Sequence, residues 1–188
     1  RVLFRSNSGY RARLVVRNTS AWGFRGGIIG NMAAFNIKEN VDAVLDGVTV
    51  WDSEIAFRLR GPAWVTLKNA VAYNVGYGVR YEDNIPQLRV WNSTFGVGVG
   101  KPFLAASSTM TGLQVSNVLV LGSSLPVEAS GASNRAVPAA TFVNPASSDY
   151  HLAASSVVIN AGASMTDVAT DREGTARPQG GYFDIGAY

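Results

Sequence analysis

The chain has 188 residues, of which only 15% are charged, and it contains no cysteine and one histidine. A disulfide framework and a thiolate metal site are therefore excluded. With a single histidine, the chain has too few residues of the required types to make a Ser-His-Asp triad or a zinc site a favoured prediction. The formal net charge of +3 comes from singly scattered basic residues, which does not indicate a nucleic-acid footprint, and no apolar run reaches the roughly 18 residues of a membrane span.

The first six residues, RVLFRS, do not fit the pattern that follows them. A nucleotide sequence that resembles the end of a common sequencing adapter translates to this hexapeptide, so we expect residues 1–6 to be a non-native leader on a metagenomic fragment. Residues 1–20 carry five arginines with no apolar stretch between them, which is unlike an export signal. Any such signal is expected on sequence outside this chain.

The strongest pattern is a repeat within residues 7–122. Five strand-like phrases align on a turn-forming residue at their fifth place, and this residue recurs at nearly regular intervals, at Asn18, Gly47, Asn69, Asn92 and Asn117. Apolar residues stand two and four places before each turn-former, with mostly polar residues between them, as in a strand with one buried face. A large side chain follows three or four places later, at Trp22, Trp51, Tyr73, Phe95 and Leu121.

Asn and Gly tolerate the left-handed backbone that a sharp bend between two strands requires. If the repeats stack as coils, we expect the amides of Asn69, Asn92 and Asn117 to form a hydrogen-bonded ladder. Gly47 interrupts this ladder and keeps the bend. The same alignment predicts a loop insertion in the longest spacing, between Asn18 and Gly47.

This pattern resembles the right-handed parallel β-helix of the pectate-lyase-like superfamily, over roughly Leu14 to Gly122. The resemblance implies an all-β, single-stranded solenoid of about five coils. The alternative is a β-sandwich with coincidental spacing, which would favour tight hairpin signals and alternating strand directions.

The rest of the chain divides into two parts. Residues 123–140 are rich in Ser, Ala, Gly and Pro and read as a linker or an irregular last coil. Residues 141–188 resemble the choice-of-anchor Q type segment of secreted bacterial β-helix proteins, through the phrases FVNP, DYHL, INAG, TDREGTARP and DIGAY. Val157 and Asn160 depart from the usual Pro and Asp, and the Glu expected after Tyr188 is missing, so we expect a truncated segment. Its expected role is to cap the open edge of the last coil.

The favoured catalytic candidates are two arginines. Arg58 and Arg80 are one coil period apart and each lies seven places after its coil's aromatic residue, so we expect them to stack on one outer strand, with Lys101 one place short of the next equivalent position. The resemblance implies a lyase in which a cation such as Ca²⁺ neutralises a uronate carboxylate and a basic side chain removes the neighbouring proton. The alternative is that both arginines are solvated strand residues near Glu82 and Asp83.

Hydrolysis would need two carboxylates about 5 to 10 Å apart, and Asp52 and Glu54 have the alternate spacing that places them on one face. These acids could equally be bend residues or partners of Arg58. The phrase TDREG, at 170–174, has a short acidic look but is far from a Ca²⁺ loop and reads better as a turn. No metal-binding residue is therefore assigned.

Candidates for binding a sugar chain are basic or aromatic residues on the outer faces of the strands. They are Lys68, Tyr81, Arg89, Trp91 and Lys101, although Trp91 could instead pack beneath a loop. The prediction is a secreted or cell-surface monomer that engages polysaccharide, with polyuronate lyase activity in first place. A non-catalytic adhesion or structural protein and a glycoside hydrolase are the alternatives.

Overall fold

The computed structural model describes residues 2–6, 9–26, 32–83, 85–106 and 112–188. These residues form an all-β parallel solenoid of about four turns, with about 5% of the chain helical. The strands, in chain order, are β1 (Val2–Phe4), β2 (Ala12–Arg17), β3 (Ser20–Trp22), β4 (Ala33–Ile37), β5 (Val41–Asp46), β6 (Thr49–Arg60), β7 (Ala63–Lys68), β8 (Val71–Glu82), β9 (Gln87–Trp91), β10 (Thr94–Phe95), β11 (Lys101–Ala105), β12 (Leu113–Ser116), β13 (Leu119–Leu121), β14 (Arg135–Val137), β15 (Phe142–Asn144) and β16 (Asp149–Leu152).

Two parallel sheets build the solenoid wall. The five-stranded sheet has the order β12-β9-β7-β5-β2, and the nine-stranded sheet follows the path β1-β4-β6-β8-β10-β13-β14, with β3 on β6 and β11 on β8. Among the strands of the described residues, β15 and β16 alone form an antiparallel pair. Three short 3-10 helices accompany the last part of the chain, at Val127–Ala129, Ala139–Thr141 and Pro145–Ser147.

The five-stranded sheet confirms the predicted repeat and excludes the sandwich. The first apolar positions of the five phrases lie directly opposite one another, in the order Leu14, Ala43, Val65, Leu88, Leu113. We call such a set of opposed residues on successive turns a column. The five phrases thus become five stacked strands with about four turns between them.

Left-handed residues mark the bends, as predicted. At the first bend Asn18, Asn69, Asn92 and Asn117 have φ values between 42° and 56°. Gly47 has φ 66°, and a Cβ there would lie 2.5 Å from Oδ1 of Asn18, so any larger residue would crowd its neighbour. A second bend repeats the device at Asp52, Asn74 and Gly98.

The predicted asparagine ladder forms in part. Nδ2 of Asn117 donates to Oδ1 of Asn92 at 3.3 Å. Nδ2 of Asn69 donates instead to a carboxylate oxygen of Asp46, at 2.8 Å. The first bend is therefore held by one amide-to-amide rung and one amide-to-carboxylate rung.

Phe95 departs from the column that the other large side chains form. Trp22, Trp51 and Tyr73 do lie opposite one another, but Phe95 pairs with Ala72, one residue earlier on β8. Phe95 therefore points into the core, where its ring packs edge-on against Phe103 at 5.4 Å. Phe95 is three residues after its turn-former, whereas Trp22, Trp51 and Tyr73 are four residues after theirs. Because successive side chains of a strand point to opposite faces, this difference of one residue moves Phe95 to the inner face.

The C-terminal segment, residues 141–188, packs on the outer side of the solenoid over the first bend. Its backbone carbonyls accept hydrogen bonds from the bend's asparagine amides, in the pairs Asn117–Ala163 (2.7 Å), Asn92–Asp184 (3.3 Å) and Asn69–Thr170 (3.1 Å). It also reaches the last turns, because Ile185 and Ala187 are buried in one cluster with Leu119 and Val137. The segment thus runs along the first bend over several turns of the solenoid, and it also covers the region of the last parallel strand, β14.

Tyr150 fixes this segment to the wall. Its ring lies 5.7 Å from that of Tyr73, and its hydroxyl oxygen accepts a hydrogen bond from the backbone N–H of Val97 at 2.9 Å. Gly96 makes the room, since a Cβ at this position would lie 2.2 Å from the tyrosine ring. The aromatic column Trp22–Trp51–Tyr73 is thereby extended by a residue from outside the repeat.

Other parts of the predicted layout occupy defined places. Val2–Phe4 pairs in parallel with β4, and whether residues 1–6 are native stays a prediction. In the stretch 123–140, β14 adds a parallel strand to β13, and Ala129 is buried in the main core. The stretch predicted to carry the loop insertion, 26–40, contains β4, which pairs with β1 and β6, while residues 27–31 and residue 1 lie outside the described residues.

Replacing Gly96 by alanine tests the docking of the C-terminal segment. The added methyl group displaces the ring of Tyr150, and we expect a loss of about 1–3 kcal/mol in the free energy of unfolding. Gly181→Ala is the matched control, because nothing lies within 4 Å of a Cβ at this position. Urea unfolding measures both changes, and equal stabilities of the two variants would contradict the docking.

Candidate functional site

Arg58 and Arg80 lie directly opposite each other on β6 and β8, as their spacing of one coil period predicts. Asn36 on β4 precedes them in the same column, and Leu104 on β11 follows them. On parallel strands about 4.8 Å apart, the two guanidinium groups start from neighbouring points of one outer face. The column places two basic side chains on successive turns.

Both arginines converge on Glu82, together with Arg60. Arg58 forms a bidentate interaction with the carboxylate, in which Nε donates at 2.8 Å and Nη2 at 3.0 Å. Nε of Arg80 lies 3.0 Å from the carboxylate, and Nε of Arg60 lies 3.3 Å from it. We call Arg58, Arg60, Arg80 and Glu82 the Glu82 cluster.

The cluster holds Glu82 ionised. Burial of this residue, which is 8% exposed, would raise its pKa. The hydrogen bonds from Arg58 and the charges of Arg58, Arg80 and Arg60 outweigh burial and lower the pKa of Glu82 below its ordinary value. Three guanidinium groups face Glu82, and a second carboxylate, Asp83, lies 3.9 Å from Nε of Arg60, so the group of three cations and two anions keeps a net positive charge.

This geometry suits anion binding better than proton abstraction. A base must present a free nitrogen to the substrate, whereas Nε and Nη2 of Arg58 both donate hydrogen bonds to Glu82. Arginine forks match the shape of carboxylate and sulfate groups. Arg60 is the most accessible of the three, with 34% of its side chain exposed against 14% for Arg58 and 18% for Arg80.

Lys101 does not continue the arginine column. It lies opposite Tyr77, and Leu104 occupies the place next to Arg80. The prediction counted from Phe95, which is not the equivalent of Tyr73. In addition, Arg80 is separated along the chain from its partner Leu104 by one residue more than Val71 is from its partner Thr94. This turn therefore contains one extra residue before β11.

Asp52 and Glu54 are engaged in holding the backbone and an arginine. Asp52 contacts Nε of Arg25 at 2.7 Å. The two oxygens of Glu54 accept hydrogen bonds from the backbone N–H groups of Gly26 (3.2 Å) and Met32 (2.7 Å). The geometry therefore supports a structural role for both acids, in which Glu54 ties the backbone at Gly26 and Met32 to β6.

Two aromatic candidates are covered. Tyr81 points into the main core, and its hydroxyl group donates to Glu128 at 3.2 Å. Burial, with the nearby charge of Glu128, raises the pKa of Tyr81 to about 12. Trp91 faces outward from β9 but is 7% exposed beneath Val168 and Phe183 of the C-terminal segment. Neither ring presents a face for a sugar to stack on.

The two remaining basic candidates lie on the five-stranded sheet. Lys68 contacts Asp46 at 3.3 Å and donates to the backbone carbonyl of Asp167 at 2.9 Å. Arg89 donates to Gln114 at 3.2 Å, and its guanidinium carbon lies 5.4 Å from the Trp91 ring centre. They are on a different sheet from the Glu82 cluster and do not join it.

Sequence reasoning missed a polar group in the C-terminal segment. His151 bridges two carboxylates, with Nδ1 at 2.7 Å from Asp149 and Nε2 at 3.1 Å from Glu173, and its ring lies 4.1 Å from that of Tyr188. Burial would lower the pKa of His151, but the two carboxylates raise it above its ordinary value. Glu173 is distant from His151 in the chain, so no local pattern could reveal the bridge.

In the described part of the chain, no group of three or more His, Cys, Asp or Glu side chains is placed to hold a metal ion. Asp171 of the TDREG phrase closes a turn by accepting from the backbone N–H groups of Glu173 (2.8 Å) and Thr175 (2.9 Å). In the same described residues no helix is long and apolar enough to cross a membrane.

Comparison with known proteins gives no match: no family model, curated protein or solved structure is significantly similar to this chain.

Removing the carboxylate at the centre of the cluster should destabilise the fold. Glu82→Gln leaves three arginines around a neutral group, and we expect a loss of about 3 kcal/mol in the free energy of unfolding at pH 7. Asp83→Asn is the control, because this half-exposed acid should contribute less than about 1 kcal/mol. Urea unfolding compares the two, and equal losses would show that Glu82 is not the central partner.

The stability difference between the natural chain and Glu82→Gln should depend on pH. Because the folded-state pKa of Glu82 is lowered, its contribution is present above the ordinary pKa of glutamate and is lost as the pH falls through the lowered value. The stability gap between the natural chain and Glu82→Gln should therefore shrink in strong acid. A gap that is constant from pH 7 to pH 2 would contradict this assignment.

His151 should give the opposite pH dependence. Its folded-state pKa is raised, so protonation stabilises the fold fully below the ordinary value of about 6.5, and this contribution is lost as the pH rises through the raised pKa. We expect His151→Gln to be less stable than the natural chain by under about 1 kcal/mol at pH 5.5, since the cluster is partly exposed. The difference should vanish at pH 9, and a difference that is independent of pH would refute the bridge.

Proposed function

We propose that this chain engages acidic polysaccharides outside the cell, through the Glu82 cluster, as a β-helix protein of the pectate-lyase-like kind. The observation that carries the proposal is the convergence of three guanidinium groups on one carboxylate at the outer face of β6 and β8. The surplus of positive charge is available to the carboxylate or sulfate groups of a sugar polymer.

The solenoid suits an extended polymer. Arg58 and Arg80 stand on successive turns, so a chain that lies along the solenoid axis meets one after the other. Arg60, at the more accessible edge of the cluster, is the group that a ligand carboxylate reaches first. Glu82 holds the guanidinium groups of the cluster in place before the ligand binds, which reduces the side-chain entropy lost on binding.

We infer binding without cleavage as the main role. Arg58 donates two hydrogen bonds to Glu82, and Asp52 and Glu54 are engaged by Arg25 and by backbone N–H groups. These contacts favour a binding wall or adhesion protein over a hydrolase. Polyuronate lyase activity, with Ca²⁺ as its cation, stays a prediction from the resemblance and is tested in the same experiment.

The proposed location is the cell surface or the medium, and the proposed state is a monomer. The resemblance of residues 141–188 to choice-of-anchor segments supports this location.

Binding is tested with polygalacturonate and with a neutral glucan of similar length, by calorimetry at low and high salt. We expect binding of the polyuronate only, weakened several-fold by salt and by Arg60→Gln or Arg80→Gln. Arg135→Gln removes the same charge elsewhere and should bind normally, since Arg135 donates only to the backbone carbonyls of Ala132 and Asn134 among its identified contacts.

The ultraviolet absorbance of unsaturated uronate ends is followed in parallel, with and without calcium. Absorbance growth that Arg58→Ala or Arg80→Ala abolishes would replace the binding role with a lyase. Equal binding of the neutral glucan, or equal losses in Arg60→Gln and Arg135→Gln, would overturn the proposal.

A further inference from the structure

The strand β11 is paired on one side only. Among the described strands it pairs with β8 alone, because β13, one turn later, pairs with β10 and β14. After β13 the chain runs through residues 122–126 without entering a strand, and β14 then adds to β13 rather than to β11. The wall is therefore one strand short beside β11, at a place where both borders of the gap belong to the middle of the chain.

A hollow of about 340 Å³ occupies this gap. Residues 99–103 line one side of it, and residues 120–126 line the other. We call it the β11 hollow. Its volume is at the lower end of the range of about 300–1,000 Å³ that small-molecule sites span, so it suits one sugar ring rather than several.

Lys101 gives the β11 hollow a positive charge. This lysine is exposed and is part of the lining, and its side chain forms no ion pair or hydrogen bond within the described part of the chain. The arginines of the Glu82 cluster, by contrast, already face a carboxylate. The ammonium group of Lys101 is therefore available to the anionic group of a ligand.

Backbone N–H groups point to the same place. The N–H of Gly100 donates to the carbonyl of Val75, just before Tyr77 on β8, at 2.9 Å, and β11 keeps a constant register with β8. Successive residues of a regular parallel strand direct their N–H groups to opposite edges. The N–H groups of Lys101 and Phe103 therefore face the β11 hollow, where a carboxylate can accept hydrogen bonds from them and from the ammonium group together.

The other lining residues match a sugar ring. Ser123 and Ser124 are exposed and bring hydroxyl groups to the hollow, whereas Val99, Leu125 and Pro126 bring apolar surface. A pyranose ring has hydroxyl groups at its edge and C–H groups on its faces, so it can contact both kinds of surface. A neutral sugar would leave the charge of the lysine without a partner, and an acidic sugar therefore fits better.

We propose that the β11 hollow binds a single acidic sugar unit, with the carboxylate at Lys101 and the N–H of Phe103 and the ring between the serines and the apolar side. The choice of a sugar rests on the proposed function, whereas the anion site does not. Leu104 lies opposite Arg80, so the hollow is about 10 Å along the strand from the arginine column. It is thus a second subsite for the same class of polymer.

The test uses galacturonate, galactose and acetate as separate probes, and it follows the amide chemical shifts of the full, isotope-labelled chain. We expect galacturonate to move the signals of residues 99–103 and 121–125 and to bind about tenfold more tightly than galactose or acetate. Lys101→Gln should weaken galacturonate binding about tenfold, and Lys101→Arg should retain most of it. Arg17→Gln removes an exposed charge from β2, on the other sheet, and is the control that should bind normally.

Four results would overturn the proposal: no binding of galacturonate, equal binding of galactose or acetate, shifts confined to other parts of the chain, or equal losses in Lys101→Gln and Arg17→Gln. The outcome is separable from that of the proposed function. If galacturonate binds in the β11 hollow while polygalacturonate binding is insensitive to Arg60→Gln, the proposed function fails and this inference stands. If polygalacturonate binds through the Glu82 cluster while galacturonate leaves the hollow unchanged, only this inference fails.

Discussion

The structure depends on the parallel register that the first bend imposes. Each turn must reverse its direction at the same place, and a left-handed residue at Asn18, Gly47, Asn69, Asn92 and Asn117 allows it without a steric cost that most side chains would incur. Once the bends coincide, apolar residues stack on apolar residues through every turn. The core, the aromatic column and the pairing of Arg58 with Arg80 all follow from that single alignment.

The bend asparagines have two uses, and this joins the solenoid to the C-terminal segment. Their left-handed backbone turns the chain, while their amides donate to carbonyls of residues 163, 170 and 184. Tyr150 adds a second attachment by entering the space that Gly96 leaves beside Tyr73. The segment is thus bound to features that the repeat supplies.

The repeat could be predicted from the sequence because its signal is local and occurs five times. The register of the five strands, the left-handed bends and the pairing of Arg58 with Arg80 follow from counting residues. The positions of Phe95 and Lys101 could not be predicted in this way, because one residue more or less in a turn moves a side chain to the other face or to another column. The central position of Glu82, the cover over Trp91 and the His151 bridge depend on contacts between distant parts of the chain, which spacing alone does not encode.

The parallel register itself is tested most directly by thiol bridging, since the natural chain contains no cysteine. Val44 and Thr66 lie opposite each other on the outer faces of β5 and β7, and Arg89 follows one turn later. A reagent that bridges thiols about 5 Å apart should join the pair Val44→Cys/Thr66→Cys and leave Val44→Cys/Arg89→Cys, about 10 Å apart, unjoined. Bridging of the second pair but not of the first would contradict the register on which the account rests.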